Sequence, residues 1–181
     1  CIINADGSMD PKYLKEMLKL CEDKDLVFAT RYDKPGGGSD DDTIVTYLGN
    51  KLFSFLGNIL YNLNISDILY TYVVGKTKSF LDLELKSHDF GLCVELPIKA
   101  KLKRYKYICS PSYERSRIGG KKKVNALKDG FLILVEMLSY IGKKWIWLIR
   151  NLKYNKYESV GISLMVFIIV GGIAAYLLQK K

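Results

Sequence analysis

Metal-binding and redox chemistry have little to build on in this sequence. There is one histidine, His88, set in a polar stretch, and the four cysteines, Cys1, Cys21, Cys93 and Cys109, include no CxxC pair and no histidine at ligand spacing. This pattern signals neither a zinc site nor a disulfide framework. The thiols are expected free, facing a reducing cytosol, and His88 is expected to be structural. No internal repeat is visible, which excludes a solenoid or an array. Acidic residues run short in the second half: residues 1–98 carry 15 Asp/Glu against 10 Lys/Arg, residues 99–181 only 4 against 18. The net charge of +9 therefore divides into −5 and +14. A basic half suits nucleic acid, anionic lipid or a phosphorylated ligand, and composition alone does not choose among them.

Charge vanishes altogether between Val160 and Leu178 (VGISLMVFIIVGGIAAYLL). At about 1.5 Å per residue such a helix covers the ~30 Å hydrocarbon core of a bilayer, so residues 157–181 are expected to form a transmembrane helix and short tail. Residues 124–156 place Lys128, Lys143, Lys144 and Arg150 near the ends of an apolar stretch holding Trp145 and Trp147. That pattern predicts an amphipathic helix lying in the membrane interface. The excess of cations before the apolar run predicts an integral membrane protein with its globular part on the cytoplasmic side. A basic cluster beside a span, rather than on a recognition helix or an aromatic-studded sheet, argues against nucleic acid as partner.

The globular part, residues 1–123, alternates strand and helix signals. Cys1-Ile2-Ile3 reads as the tail of a buried strand, and its missing partner implies a preceding segment. Asn4 to Pro11 is an acidic loop, Leu14, Met17, Leu18 and Cys21 recur at helical spacing, and Leu26 to Thr30 has strand length. Arg31 to Asp42, with three successive glycines, is a loop. Ile44 to Leu63 is helical, Tyr70 to Val74 a strand, Ser79 to Leu85 a short helix, Val94 to Lys103 a helix with Pro97 in its first turn, and Tyr105 to Cys109 a strand. The rhythm predicts an α/β sandwich.

Chemistry points first to Asp6. A carboxylate in an acidic loop at a strand end can hold a divalent cation, which would neutralise the charge of a bound phosphate or diphosphate group. Asp10, just before Pro11, reads instead as a helix cap. The run Asn4-Ala5-Asp6-Gly7-Ser8-Met9-Asp10-Pro11 resembles the Asp-Ala-Asp motif and its continuation in the family 2 glycosyltransferases, specifically the polyprenyl-phosphate (dolichol-phosphate mannose synthase-like) branch. The resemblance continues in order through Phe28-Ala29-Thr30-Arg31-Tyr32 with Gly36 to Gly38, Ser66-Asp67, Gly91-Leu92-Cys93-Val94-Glu95, and Glu114-Arg115 with Gly119-Gly120-Lys121, covering roughly residues 1–125. It implies a partial GT-A fold, a Rossmann-like nucleotide-diphospho-sugar transferase sandwich. Asp6, with Asn4 and Ser8, would then face the donor diphosphate and a Mg2+ or Mn2+ ion. Asn4 departs from the first acid of the motif, and Tyr72 and Val73 stand where many relatives have Gly and an aromatic-Arg pair.

The reaction so implied is transfer of a hexose from a nucleotide sugar to a polyprenyl phosphate at the cytoplasmic membrane face. A phosphate acceptor, with a second pKa near 6, is already an anionic nucleophile at neutral pH and needs no strong base. It needs cations to bring two anions together, and Arg31, Arg115, Arg117 and Lys121 are the candidates. A glycan or other hydroxyl acceptor would instead require a general base, for which Asp67 and Glu95 are the candidates, although Glu95 could equally pair with Lys99 one turn on. The third alternative is a catalytically silent membrane-bound module whose basic stretch holds anionic lipid.

Overall fold

The computed structural model describes residues 1–120 and 125–151. The chain divides into two compact units, residues 1–141 and 142–181, and the architecture below is that of the first.

After a 3-10 turn at Pro11–Tyr13 come helix α1 (Leu14–Leu20), strand β1 (Leu26–Thr30), the two-residue strand β2 (Gly38–Ser39), helix α2 (Ile44–Tyr61), strand β3 (Val73–Gly75), helices α3 (Thr77–Leu83) and α4 (Leu92–Leu102), strand β4 (Tyr107–Pro111), the two-residue strand β5 (Tyr113–Glu114) and helix α5 (Ala126–Asn151). β1 is the middle strand of a three-stranded sheet in the order β3-β1-β4. It runs antiparallel to β3, with Val27 opposite Val74, and parallel to β4, with Phe28 opposite Cys109. Ile2 adds one antiparallel bridge to Val73. A parallel ribbon of β2 and β5 lies apart from this sheet.

Every residue of β1 is buried because both faces of the sheet are covered, which is why its sequence reads as an unbroken apolar run rather than an alternation. Leu26, Phe28 and Val73 face Tyr61 of α2, Val94 and Ile98 of α4, and Ile133, Met137 and Tyr140 of α5. Val27, Ala29, Tyr72 and Val74 face Met17 of α1, with Cys21 and Met9. Side-chain alternation along each strand thus assigns the two cores.

Three expectations need correction. The α/β composition stands, but a GT-A sandwich is not what the described residues form. The sheets are small and mixed, with strands of five residues or fewer and only one parallel pair in the main sheet. Strand direction is set by long-range pairing, which the local rhythm of apolar residues does not encode. Secondly, no described helix is long and apolar enough to cross a membrane. α5 is 26 residues long but carries Lys128, Asp129, Glu136, Lys143, Lys144 and Arg150. The expected span, Val160 to Leu178, lies outside the described residues, and the transmembrane, integral-membrane assignment with a cytoplasmic catalytic part is withdrawn on this finding. Thirdly, α4 begins at Leu92, so Pro97 sits inside the helix rather than in its first turn. The helix gains its extra N-terminal residues from tight i→i−3 bonds from Leu92, Cys93 and Val94 to Asp89, Phe90 and Gly91.

Candidate functional site

The C-terminal end of β1 and the loops beside it gather most of the charged residues singled out by sequence. Arg31 follows directly on β1, and its side chain is only 10% exposed. Its Nε and Nη2 donate to Oδ2 and Oδ1 of Asp67 at 2.8 and 2.9 Å, while its backbone N–H donates to Asp67 Oδ2 at 2.9 Å. Nη1 donates to Glu114 Oε2 at 2.9 Å. Asp67 also accepts from the Asn50 amide of α2, and Glu114 accepts from Ser39 Oγ at 2.6 Å. The Tyr70 ring lies 4.6 Å from the guanidinium carbon. Burial by itself would lower the Arg31 pKa, but the hydrogen bonds and charge of Asp67, joined by Glu114, outweigh it and hold the guanidinium above its ordinary value. Arg31, Asp67 and Glu114 form one buried ionic brace linking β1, the Ser66-Asp67 turn and β5.

The acidic loop lies against the basic segment. Met9 forms an antiparallel bridge with Glu114. The Arg115 N–H donates to the Ser8 carbonyl, and the Ile118 N–H to the Asp6 carbonyl, each at 2.9 Å. Gly7 allows this close approach: its φ is +79°, and a Cβ there would fall 2.7 Å from Ile118 Cδ1. Arg115 adds a bond from Nη2 to the Gly7 carbonyl at 3.0 Å and an ion pair with Asp10 at 3.5 Å. Asp10 caps the 3-10 turn by accepting from the Lys12 N–H, as the Asp-Pro step predicts.

Asp6 and Arg117 are the charged pair at the centre of this junction. Asp6 Oδ1 accepts the Ser8 N–H at 3.0 Å, and Oδ2 lies 3.5 Å from Arg117 Nη1. Burial raises the Asp6 pKa, but the Ser8 backbone N–H and the Arg117 charge together bring it below the usual carboxylate value. Arg117 Nε and Nη2 also donate to Asp41 Oδ2, both at 3.1 Å. Hydrogen bonding to Asp41 leads the causes that raise the Arg117 pKa. Asp41 was not singled out by the sequence. Its signal was the Asp40-Asp41-Asp42 run after the glycines, which a loop assignment absorbed. Glu114 was likewise missed as an ionic partner of Arg31 and Asn50 as a hydrogen-bond donor to Asp67, because a lone carboxylate or amide shows its role only when its long-range partner is known.

Glu95 lies elsewhere. It is fully buried in the first turn of α4, where its carboxylate accepts the N–H groups of Lys86 and Ser87 at 2.7–3.0 Å and pairs with Lys99 at 2.7 Å. Burial opposes ionisation, but Lys99, Ser87 and Lys86 overcome it and bring the Glu95 pKa down to about 2. The arrangement pins the 84–87 loop to α4. Asn4 is exposed and donates its backbone N–H to the Met9 sulfur. Lys121 lies outside the described residues.

The donor set around Asp6 does not by itself make a divalent-cation seat. It offers the Asp6 carboxylate, at most one neutral amide from Asn4 and the Ser8 hydroxyl, and a guanidinium sits against the carboxylate, where it would repel a cation. Among the described residues, no group of three or more His, Cys, Asp or Glu is placed to share a metal ion. A cleft of about 580 Å3, lined by Lys24, Lys101, Arg104 and Lys106 with Tyr107 to Cys109 of β4, includes none of Asp6, Arg31, Asp67, Arg115 and Arg117 in its walls. Neither protein-family models nor curated proteins match the chain.

Proposed function

We propose that this chain acts in the transfer of a hexose from a nucleotide sugar to a polyprenyl phosphate. One observation carries the reading: the Asn4–Asp10 loop and the 113–118 segment are joined by backbone hydrogen bonds, which brings Asp6, Arg115 and Arg117 to a common junction. A transfer between two phosphorylated molecules requires such a junction of a donor loop with cations.

In this reaction an acceptor phosphate oxygen attacks the anomeric carbon, and the bond to the nucleoside diphosphate breaks with its electron pair leaving on the diphosphate. The nucleophile arrives already ionised, so no side chain need take a proton. Arg115, with its side chain 44% exposed, and Arg117 at 24%, are the accessible guanidinium groups. They lower the repulsion between the two anions. Arg31 serves at one remove, since its donors are committed to Asp67 and Glu114. Asp67 and Glu95 are both occupied as ion-pair partners, which favours a phosphate acceptor over a hydroxyl that would need a base.

The test is transfer by the protein in detergent, with polyprenyl phosphate titrated. Arg115→Ala should raise the acceptor KM by about 10- to 100-fold and Arg117→Ala by less, while nucleotide-sugar binding stays near wild type in both. Unchanged acceptor dependence in both variants would remove the reading.

A further inference from the structure

Strands β1 and β4 run parallel and start level, with Leu26 beside Tyr107. A lysine stands within two residues before each, Lys24 ahead of β1 and Lys106 ahead of β4. The parallel register therefore brings two cations to one end of the strand pair, whereas Arg31 follows β1 at the other. Lys101, in the last turn of α4, and Arg104, just past it, line the same cleft as Lys24 and Lys106. Its volume of about 580 Å3 lies within the ~300–1,000 Å3 of small-molecule sites. Among the described residues, its walls hold four cations and no Asp or Glu.

Neither ordinary role of surface cations accounts for this convergence. Cations at a helix C-terminus commonly answer its exposed carbonyls. Here the backbone does so: the N–H groups of Lys103, Arg104 and Tyr105 donate to the carbonyls of Lys99, Lys101 and Ala100. Ion pairing is the other role, and the neighbouring lysines fill it, Lys99 with Glu95, Lys103 with Asp82 and Lys76 with Asp25. Asp25 also takes the Lys106 N–H, and Asp82 the Tyr105 hydroxyl. Glu22 and Asp23 are exposed and stand outside the walls. Among the described residues, the side chains of Lys24, Lys101 and Lys106 enter no ion pair, although Lys24 and Lys101 are half-buried. Like charges gathered in a cleft repel one another unless an anion offsets them.

The donor set selects that anion. Ammonium and guanidinium groups only donate. The Tyr105 hydroxyl is committed to Asp82, and the Tyr107 hydroxyl to the Leu63 carbonyl at 2.7 Å. The wall thus suits a ligand that presents acceptor oxygens. A phosphate monoester carries about −1.5 to −2 at neutral pH, so two such groups match four cations, where carboxylates would have to number four. We propose that this cleft binds a small molecule carrying two phosphate groups, either a bisphosphate ester or free diphosphate. The site shares no residue with the Asp6–Arg117 junction, and the proposal does not depend on the transfer reaction above.

Isothermal titration calorimetry of the full chain in detergent, at about 0.15 M salt, tests it. The probes are fructose 1,6-bisphosphate, inorganic diphosphate, glucose 6-phosphate and octaglutamate. The ester or the diphosphate should bind at least about tenfold more tightly than glucose 6-phosphate, and the tighter of the two identifies the source. Lys24→Gln, Lys101→Gln and Lys106→Gln should each raise its Kd by about tenfold or more, with unchanged far-UV circular dichroism. Lys106→Arg, which keeps the charge on an exposed side chain, should change it by less than about threefold. Arg115→Ala with Arg117→Ala should leave it within about twofold. Binding abolished by that arginine pair and untouched by the lysine variants would overturn the inference, as would no saturable binding of either probe with two phosphates. Tighter binding of octaglutamate, lost in the lysine variants, would also overturn it and make the cleft a docking surface for an acidic protein segment.

Discussion

Replacing Asp67 by Asn tests whether the carboxylate is a base or a brace. In the folded protein two oxygens of Asp67 receive four donors: the Arg31 backbone N–H, Arg31 Nε and Nη2, and the Asn50 amide. Asparagine keeps the shape but supplies one acceptor oxygen, and its own NH2 would point at N–H groups. The Arg31 guanidinium, 10% exposed, would be left with Glu114 as its only carboxylate. Removing one partner of such a buried pair costs about 3–5 kcal/mol, because the remaining charge stays desolvated. For a chain of this size that is a fall in Tm of roughly 6–20 °C. Thermal and urea unfolding followed by circular dichroism measure it. A cycle with Arg31→Met isolates the pair: in that background Asp67→Asn should cost less than about 1 kcal/mol, since the charge requiring compensation is gone. If Asp67→Asn unfolds within about 0.5 kcal/mol of wild type while transfer is lost, the brace is the wrong reading and Asp67 is acting chemically.

Two further outcomes follow from the same geometry. Glu95, with its pKa brought down to about 2, contributes stability that is present above the unfolded-state value of about 4.3 and is lost as pH falls from there through the folded value. Tm should decline between about pH 5 and pH 2, and this portion of the decline, up to about 3 kcal/mol, should be missing in Glu95→Gln, which starts lower at neutral pH. Gly7→Ala should destabilise by about 1–2 kcal/mol, since it combines a positive φ with a Cβ driven into Ile118. Ile118→Ala in the same chain should recover only the steric part, and full recovery in urea titrations would show that φ carries no cost.

Elements governed by local chemistry were legible in the sequence, and those governed by distant partners were not. β1 announced itself by five apolar or small residues bounded by charged loops, and Asp10 as a cap by the proline after it. α2 was readable as a helix although Gly49 and Gly57 interrupt it. Its capping box, Thr43 with Thr46, and the left-handed Asn62 at its end fix its limits. Gly57 is needed because a Cβ there would press on Ile68 and Leu63. By contrast, Arg31 meets Asp67 across 36 residues and Glu114 across 83, separations over which no periodicity speaks. The sequence could place a carboxylate in a turn and an arginine at a strand end without revealing that each neutralises the other. The antiparallel direction of β3 was hidden for the same reason, and with it the departure from the expected sandwich.

That distinction also ranks the cations of the proposed acceptor site. A phosphate reaching Arg117 must compete with Asp41, which already takes two donors at 3.1 Å, and with Asp6 at 3.5 Å. The arginine would exchange one anionic partner for another, so its net gain falls below the about 1.5–3 kcal/mol of a new charge-assisted bond. Arg115 has less to give up: one carbonyl bond at 3.0 Å and a looser pair with Asp10, on a side chain that is 44% exposed. The larger rise in acceptor KM should therefore come from Arg115→Ala. Removing Asp41 should have the opposite sign, because Asp41→Ala frees two donors of Arg117 and should lower that KM. If Asp41→Ala weakens acceptor use as much as Arg117→Ala does, the pair works as a structural clasp and Arg117 does not touch the phosphate.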